Sequence, residues 1–462
     1  MSNSIIKIEP RRCLIFGFGG VAKAAVPLIL KNLPIESFTL IDRRRIFDTE
    51  LSIFGNLKVS RLEKEFEYGK LQSEVSKIIY DNDIVLDFFG CSESLDIIKA
   101  CNEKKGIVYL NASLEEYEDH PYKDQYSLYQ AMYDYRDKYK PTFTGCIDSG
   151  ANPGMITHFC ILGIRNMAKG AIERKVPDAD KIKELLDKDD LPGLVEQMKI
   201  DTIHISEIED IEPNDPKKFE GKVTNSWCPI SFHEEWNLPS EVSKGTHDKE
   251  SLTREGYIEI EGSIPLSVIT PYPIYLKTAS PFNIFTGKCV RHPETLEISK
   301  IFSNSTHVPT VAFVYHPSRL PRQDMEKEGW EKLPKVVIDE TTGGPLKGKE
   351  TMGATLISSR KDIPSRWYGS IVTCEESRDV GCISNPTTLQ VAAGVVSHLV
   401  MGVRNPNMGL CMPHDFDSEK IMEIAKPYLG TIYDCDLKFE ISSKWDELIG
   451  KREDMDYDLV KK

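Results

Sequence analysis

Apolar residues in the first part of the chain come in short blocks, and their lengths and spacing predict alternating strands and helices. Arg12 to Phe16 (RCLIF) predicts a strand, Ala24 to Leu30 a helix, and Phe38 to Ile41 a second strand that ends at Asp42. Ile84 to Phe89 (IVLDFF) and Ile107 to Leu110 (IVYL) are further strand candidates. Together they fit a doubly wound parallel sheet over roughly residues 1–150. Beyond Pro153 the pattern changes. Residues 155–200 read as helical, with charged stretches such as Asp178 to Asp190. Residues 201–320 alternate β-like runs (TIHISEI, YIEIEG, VAFVYH) with loops rich in Pro, Ser and Asn. Thr388 to Val403 is the most apolar long stretch; interrupted by Gln390 and His398, it falls short of the ~20 residues that cross a bilayer and reads as a buried helix.

The turn after the first strand gives this pattern chemical content. In Gly17-Phe18-Gly19-Gly20-Val21-Ala22, Gly17 permits the tight turn, Gly19 lets backbone approach a pyrophosphate, and Ala22 takes the third small position. Gly20 and Val21 open a helix whose N-terminus faces the phosphates. Asp42, twenty positions after Ala22, is placed to accept hydrogen bonds from ribose hydroxyls, which favours NAD because a 2′-phosphate would be repelled. Arg43-Arg44-Arg45 follows at once and complicates that choice, either as a solvated cluster or as a phosphate contact. The expected fold is α/β, an N-terminal Rossmann dinucleotide-binding domain with an inserted α+β substrate domain. Its parts are 1–150 for the nucleotide domain, 151–384 for the substrate domain, 385–430 for a helical return to the first domain, and 431–462 for a charged C-terminal tail.

Composition narrows the function classes. The 462 residues suggest two or three domains, and 40% hydrophobic with 28% charged residues is ordinary for a soluble globular protein. An excess of 72 Asp and Glu over 58 Lys and Arg gives a net charge of -14, which opposes nucleic acid and anionic membrane and mildly favours a cationic ligand. The 11 cysteines contain no CxxC pair, fitting reduced thiols in a cytosol, and no zinc-ligand spacing appears, so no metal is expected. The first ten residues lack the apolar core of a signal peptide, and a cytoplasmic location is the expectation.

Several polar segments then stand out together: Asp148-Ser149-Gly150-Ala151-Asn152-Pro153-Gly154, His204-Ile205-Ser206-Glu207, Asn225-Ser226-Trp227 followed by Lys244 to His247 (KGTH), and Asn385 to Val395 (NPTTLQVAAGV). With these motifs the chain resembles the bacterial homospermidine synthases of the saccharopine-dehydrogenase-like superfamily, over roughly residues 10–430. The resemblance implies a redox-neutral aminobutyl transfer: with NAD as a borrowed hydride carrier, two putrescines become homospermidine and ammonia through imine intermediates. It also implies putrescine and related polyamines as substrates and a homodimer. A net dehydrogenase of the carboxynorspermidine or saccharopine type, using NAD(P), is the alternative, and its carboxylate substrates would call for arginines in the pocket.

A diamine needs acidic groups for its two ammonium ends, and Glu115, Glu207 and Glu235 are available. At an effective dielectric near 20, one such contact at 4 Å is worth about 4 kcal/mol before desolvation, so several carboxylates must act jointly. The resemblance raises Glu207 and Glu235; around Glu115 the chain departs from the family pattern, and Glu116 competes for the role. Trp227 offers an indole face to an ammonium or iminium ion, against the plain reading of a core tryptophan. Asn152 either orients a substrate amine or simply builds the turn. His292, in Arg291-His292-Pro293-Glu294, matches a family histidine that would shuttle an amine proton, with a surface-loop histidine as the competing reading.

Overall fold

The computed structural model describes residues 9–90, 93–115, 124–263, 265–325, 329–382 and 384–455. They form two compact units. The first comprises the described residues within Met1–Lys123, Ser127–Met155 and Ser377–Tyr428, the second those within Asp124–Tyr126, Ile156–Glu376 and Leu429–Lys462.

In the first unit, β1 (Arg11–Phe16), β2 (Ile35–Asp42), β3 (Lys58–Glu63), β4 (Ile84–Asp87), β5 (Val108–Asn111) and β6 (Thr144–Cys146) share one sheet with Gly409–Cys411. All pairings are parallel, in the order Gly409–Cys411, β6, β5, β4, β1, β2, β3. Strand addition reverses after β3, so the switch point lies between β1 and β4, where the carboxyl ends of the strands leave a crevice for a ligand. This is the expected Rossmann sheet. Leu14, Ile15, Phe16, Val85, Leu86, Tyr109 and Leu110 are fully buried, as strands covered on both faces require.

Helix α1 (Gly20–Asn32) follows β1 and buries Ala22, Ala24, Ala25, Val26, Leu28 and Ile29. It packs on the helix Pro386–Arg404, which also lies on β5 and β6. That helix begins before the expected Thr388. Asn385 caps it, its Oδ1 accepting from Thr388 N at 2.9 Å, and Pro386 takes the first turn, where a missing N–H does no harm. By length and composition alone the helix would suffice to cross a membrane. Here nearly all of its side chains are buried in the first unit.

The second unit is built on a mixed eleven-stranded sheet among the described residues. Its longest strand, Ile200–Pro213, contains the run TIHISEI and pairs in parallel with Thr310–His316 and antiparallel with Leu346–Ser358. Trp367 fills the space left by two glycines: a Cβ on Gly353 would lie 2.3 Å from its ring and one on Gly369 2.6 Å. Its indole N–H donates to Ser206 Oγ at 2.9 Å.

The C-terminal segment differs from a tail. Thr431–Asp436 pairs antiparallel with Arg366–Thr373 as a further strand of this sheet. Its acidic residues are partners of Arg366, whose guanidinium lies 2.5 Å from Asp434 and 2.7 Å from Asp436. Ten of the eleven cysteines lie among the described residues, and each is an unbridged thiol.

Candidate functional site

The glycine turn has the geometry of a phosphate cradle. Gly17 sits at φ +84° and its N–H donates to Ile41 O at 2.8 Å; a Cβ there would lie 2.4 Å from Phe88 O, so backbone-to-backbone approach excludes any other residue. Gly19, by contrast, has no atom within 4 Å of an added Cβ, leaving open space over the turn. It is the N-cap of α1, so the amides of Gly20, Val21 and Ala22 open a helix with free N–H groups at its positive end. Ala22 is fully buried. Asp42 ends β2, and backbone amides hold its carboxylate at the turn: Phe18 N donates to Oδ2 at 2.8 Å and Arg44 N to Oδ1 at 2.9 Å. Open space at Gly19, a helix N-terminus and a fixed carboxylate one strand over together fit the diphosphate and ribose of a dinucleotide.

The ends of the neighbouring strands are acidic but buried. Asp87 closes β4 and accepts from the Tyr109 hydroxyl at 2.8 Å; burial pushes its carboxyl up to about 6, against the pull of Tyr109, Phe89 N and Ser94. Asn111 closes β5, and its Oδ1 accepts from Asp148 N at 2.7 Å. Asp148, at φ +52°, accepts from Leu114 N at 2.6 Å and from the Tyr129 hydroxyl. It ties the segment carrying Glu115 to the segment carrying Asn152. Glu115 is half-buried, its amide donating to Ser94 Oγ at 3.1 Å; Glu116 lies outside the described residues. Asn152 is half-buried in a turn closed by Met155 N donating to Gly150 O at 3.1 Å. Glu115 and Asn152 thus share the first unit with Gly17, Gly19, Gly20, Val21, Ala22 and Asp42.

The other candidates lie in the second unit. In a strand, residues two apart share a face, so Glu207 and Glu209 point to one side and His204 and Ser206 to the other. HISE is therefore two motifs interleaved. His204 and Ser206 are structural, with His204 fully buried and its imidazole pushed down to about 4 by burial, against Asp248. On the opposite face, Glu207 is in register with Tyr315 on one neighbouring strand and Met352 on the other, and Glu209 is opposite Glu350. Glu207, Glu209 and Glu350 are all buried.

Glu209 Oε2 accepts from the hydroxyls of both Ser226 and Tyr315, each at 2.7 Å. Burial raises its carboxyl above the usual range, with those hydroxyls pulling the other way. The Tyr315 phenol is pushed well up by burial and then by the charges of Glu209, Glu207 and Glu350. Ser226 is the residue before Trp227, which is half-buried. Asn225 shapes that loop, its Oδ1 accepting from Trp227 N at 2.8 Å and Cys228 N at 3.1 Å.

His292 corrects the surface-loop reading: it is 7% exposed. Its ring meets Phe313 edge-on at 5.2 Å, and Phe313 stacks on Tyr315 at 5.9 Å. Phe232 meets Tyr315 edge-on at 6.1 Å. Beside His292, Glu294 is buried and accepts from Thr157 Oγ1 at 2.6 Å. Glu235 falls within the helix Pro229–Asn237, but its side chain lies outside the described residues. Glu207 is thus the register partner of Tyr315, His292 is linked to Tyr315 through Phe313, and Trp227 follows Ser226, a donor to Glu209, while Glu209, Tyr315 and Glu350 were missed from sequence. The signal for the first two was present: alternation extends the motif from Glu207 to Glu209, and VAFVYH puts Tyr315 in a buried strand. Glu350 arrives only through strand pairing. Among the described residues no group of three His, Cys, Asp or Glu is arranged to hold a metal ion.

Known proteins can now be set beside this geometry. Residues 13–145 match the saccharopine dehydrogenase NADP binding domain family. In an alignment of 453 positions the chain is 23% identical to homospermidine synthase of Mesorhizobium japonicum, covering 91% of this chain and 89% of that protein. It is likewise 23% identical to homospermidine synthase of Blastochloris viridis, covering 91% and 90%. The crystal structure of homospermidine synthase from Legionella pneumophila in complex with NAD superposes with a TM-score of 0.81 at 23% identity, covering 96% of this chain and 98% of that one. The chain therefore has the fold of homospermidine synthase along nearly its whole length, with a nucleotide domain of the saccharopine dehydrogenase type at its N-terminal end.

Proposed function

We propose that this chain is a homospermidine synthase, an NAD-using aminobutyl transferase that turns two putrescines into homospermidine and ammonia. The observation that carries the reading is that the buried carboxyls of Glu207, Glu209 and Glu350 share one face of the second unit's sheet, where Glu209 accepts from Tyr315. Buried acidic groups on one sheet face suit a dication and oppose the carboxylate substrates of a saccharopine-type dehydrogenase. The likeness to homospermidine synthases over 91% of the chain, and to a relative in complex with NAD, supports the same substrate class and cofactor.

Gly17, Gly19 and the first turn of α1 would hold the diphosphate and Asp42 the ribose hydroxyls. NAD, when bound, would take a hydride from the carbon bearing the amine and give it back to the condensed imine. The chain's own residues do the rest. An amine yields that hydride only after losing a proton, so a group of the pocket must accept one; His292 and Glu207 are the titratable candidates in the second unit. Within the second unit, Glu207 and Glu235 would hold ammonium ends and Trp227 would offer its ring face to the cation; Glu115 and Asn152 are polar candidates of the first unit. A homodimer accompanies this reading through the family likeness alone, and a cytosolic location through the scattered, CxxC-free cysteines.

Incubation with putrescine and a small amount of NAD tests it. Homospermidine in large molar excess over NAD, with no accumulating NADH absorbance, is the expected result. NADH formed in step with product would establish a net dehydrogenase instead. For Trp227, a cation–π contact of about 0.5–2 kcal/mol predicts that Trp227→Phe keeps part of the activity and that Trp227→Ala loses up to about thirtyfold in kcat/KM. If both variants equal the wild type, the indole plays no such part.

A further inference from the structure

The cations beside the cofactor turn are already spoken for. The guanidinium of Arg44 forms a two-pronged ion pair with Glu50, Nη1 to Oε2 at 3.0 Å and Nη2 to Oε1 at 2.9 Å, and Nη2 also donates to Phe18 O at 2.6 Å. Lys23, in the first turns of α1, places its ammonium 2.8 Å from Glu50 Oε1. Phe47 N donates to Glu50 Oε2 at 2.9 Å. Partial burial opposes the charge on Glu50, but Arg44, Lys23 and the Phe47 amide hold its carboxyl down at about 2.

Beside this network is a cavity of about 280 Å³ whose walls include Arg44, Arg45, Phe47, Arg61, Leu62 and Glu63. It lies at the ends of β2 and β3, where Asp42 and Glu63 are in register. Of the other arginines of its wall, Arg61 pairs with Asp48 at 2.6 Å, while Arg45 is exposed and lies over the Phe47 ring at 5.7 Å. Arg43 is exposed and is not part of that wall.

We propose that Glu50 sets the preference for NAD over NADP by occupying the guanidinium of Arg44 and the ammonium of Lys23, the cations that a ribose 2′-phosphate would otherwise engage. The inference rests on the dinucleotide reading of the glycine turn. An arginine fork whose donors are taken by a carboxylate has no parallel pair left for phosphate oxygens. Asp42 discriminates by repulsion, as any acidic residue at the end of the second strand does; Glu50 adds to it by withholding the counter-charge. This separates the role of Arg44 from that of a solvated arginine: Glu50 takes its end-on pair of donors, while Phe18 O, Arg45 O and the Asp42 carboxylate lie at its other N–H groups.

The test is equilibrium titration of the full chain with NAD and with NADP, without substrate. Wild type is expected to bind NAD more tightly. Glu50→Gln frees one arginine fork, and the expected gain for NADP relative to NAD is about tenfold or more, the size of one charge-assisted hydrogen bond. Adding Arg44→Ala to Glu50→Gln should abolish that gain. Arg44→Ala alone should leave the NADP to NAD ratio near the wild-type value, and it stays informative if the Glu50 variants fail to fold. Three results overturn the proposal: a ratio unchanged by Glu50→Gln, a wild type that already prefers NADP, or a large loss of NADP affinity in Arg44→Ala alone. A wild type that binds neither dinucleotide would sink the reading of the turn and this inference together. Binding of both with no effect of Glu50 sinks the inference alone, and putrescine turnover remains a separate measurement.

Discussion

Glu207→Gln is expected to lower kcat/KM for putrescine by about a hundredfold or more while leaving dinucleotide titration unchanged. Glutamine keeps the shape and a carbonyl acceptor but removes the charge, so the difference reports electrostatics. At an effective dielectric near 20, an ammonium and a carboxylate 4 Å apart attract by about 4 kcal/mol, and a net loss of about 3 kcal/mol after desolvation corresponds to roughly a hundredfold. Two features keep the loss from being absorbed elsewhere. Glu207 is only 8% exposed, so water cannot replace it easily. The adjacent carboxyl on its face and strand, Glu209, already accepts from Ser226 and Tyr315 at 2.7 Å and is not free to swing across. Steady-state kinetics on putrescine decide the matter. A variant with wild-type kcat/KM would remove Glu207 from the amine site and return the acidic cluster to a structural role.

Gly394→Ala should be among the most damaging single changes in the first unit, although it touches no reacting group. A Cβ at Gly394 would lie 1.8 Å from Gly150 O, a contact with backbone rather than with a flexible side-chain end. Gly150 is itself fixed, its N–H donating to Ala112 O at 3.2 Å and its carbonyl accepting from Met155 N at 3.1 Å. Relief must come from moving the helix Pro386–Arg404, whose buried face includes Leu389, Ala392, Ala393, Val396 and Leu399. Overpacking a rigid core costs about 1–3 kcal/mol, and a backbone clash belongs at or above the upper end. Urea unfolding followed by circular dichroism is expected to show a loss of about 3 kcal/mol or more from the transition of this unit. A loss below about 0.5 kcal/mol, the range of neutral surface changes, would mean that the two segments do not pack this closely.

These two expectations bear on what the motifs mean. GANPG and NPTTLQVAAGV carried the family resemblance, and it is natural to read them as chemistry. Much of their content is packing instead. Gly150 and Gly394 are glycines because two stretches of backbone lie against each other, and Asn385 caps a helix. HISE divides by strand periodicity into a structural half on one face and Glu207 on the other.

The chain by itself determined the first βαβ of the nucleotide unit and two further strands, but not β3, β6 or the strand Gly409–Cys411. Strand, glycine turn, helix and terminal acid are local in sequence, each follows from steric or hydrogen-bonding rules that act within a few residues, and β1, α1 and β2 lie where the pattern placed them. Tertiary structure decided the rest, because it depends on which strands become neighbours. Glu350 meets Glu209 through antiparallel pairing, Tyr315 meets Glu207 through parallel pairing, and neither register is written in a local pattern. The same holds for His292, which reads as a loop residue until Phe313 covers it, and for the acidic residues after 430, which read as a tail until Arg366 pairs with them. It holds most clearly for Arg44. Sequence left it open between solvent and phosphate, and only the turn that brings Glu50 onto its guanidinium gives it a two-pronged carboxylate partner.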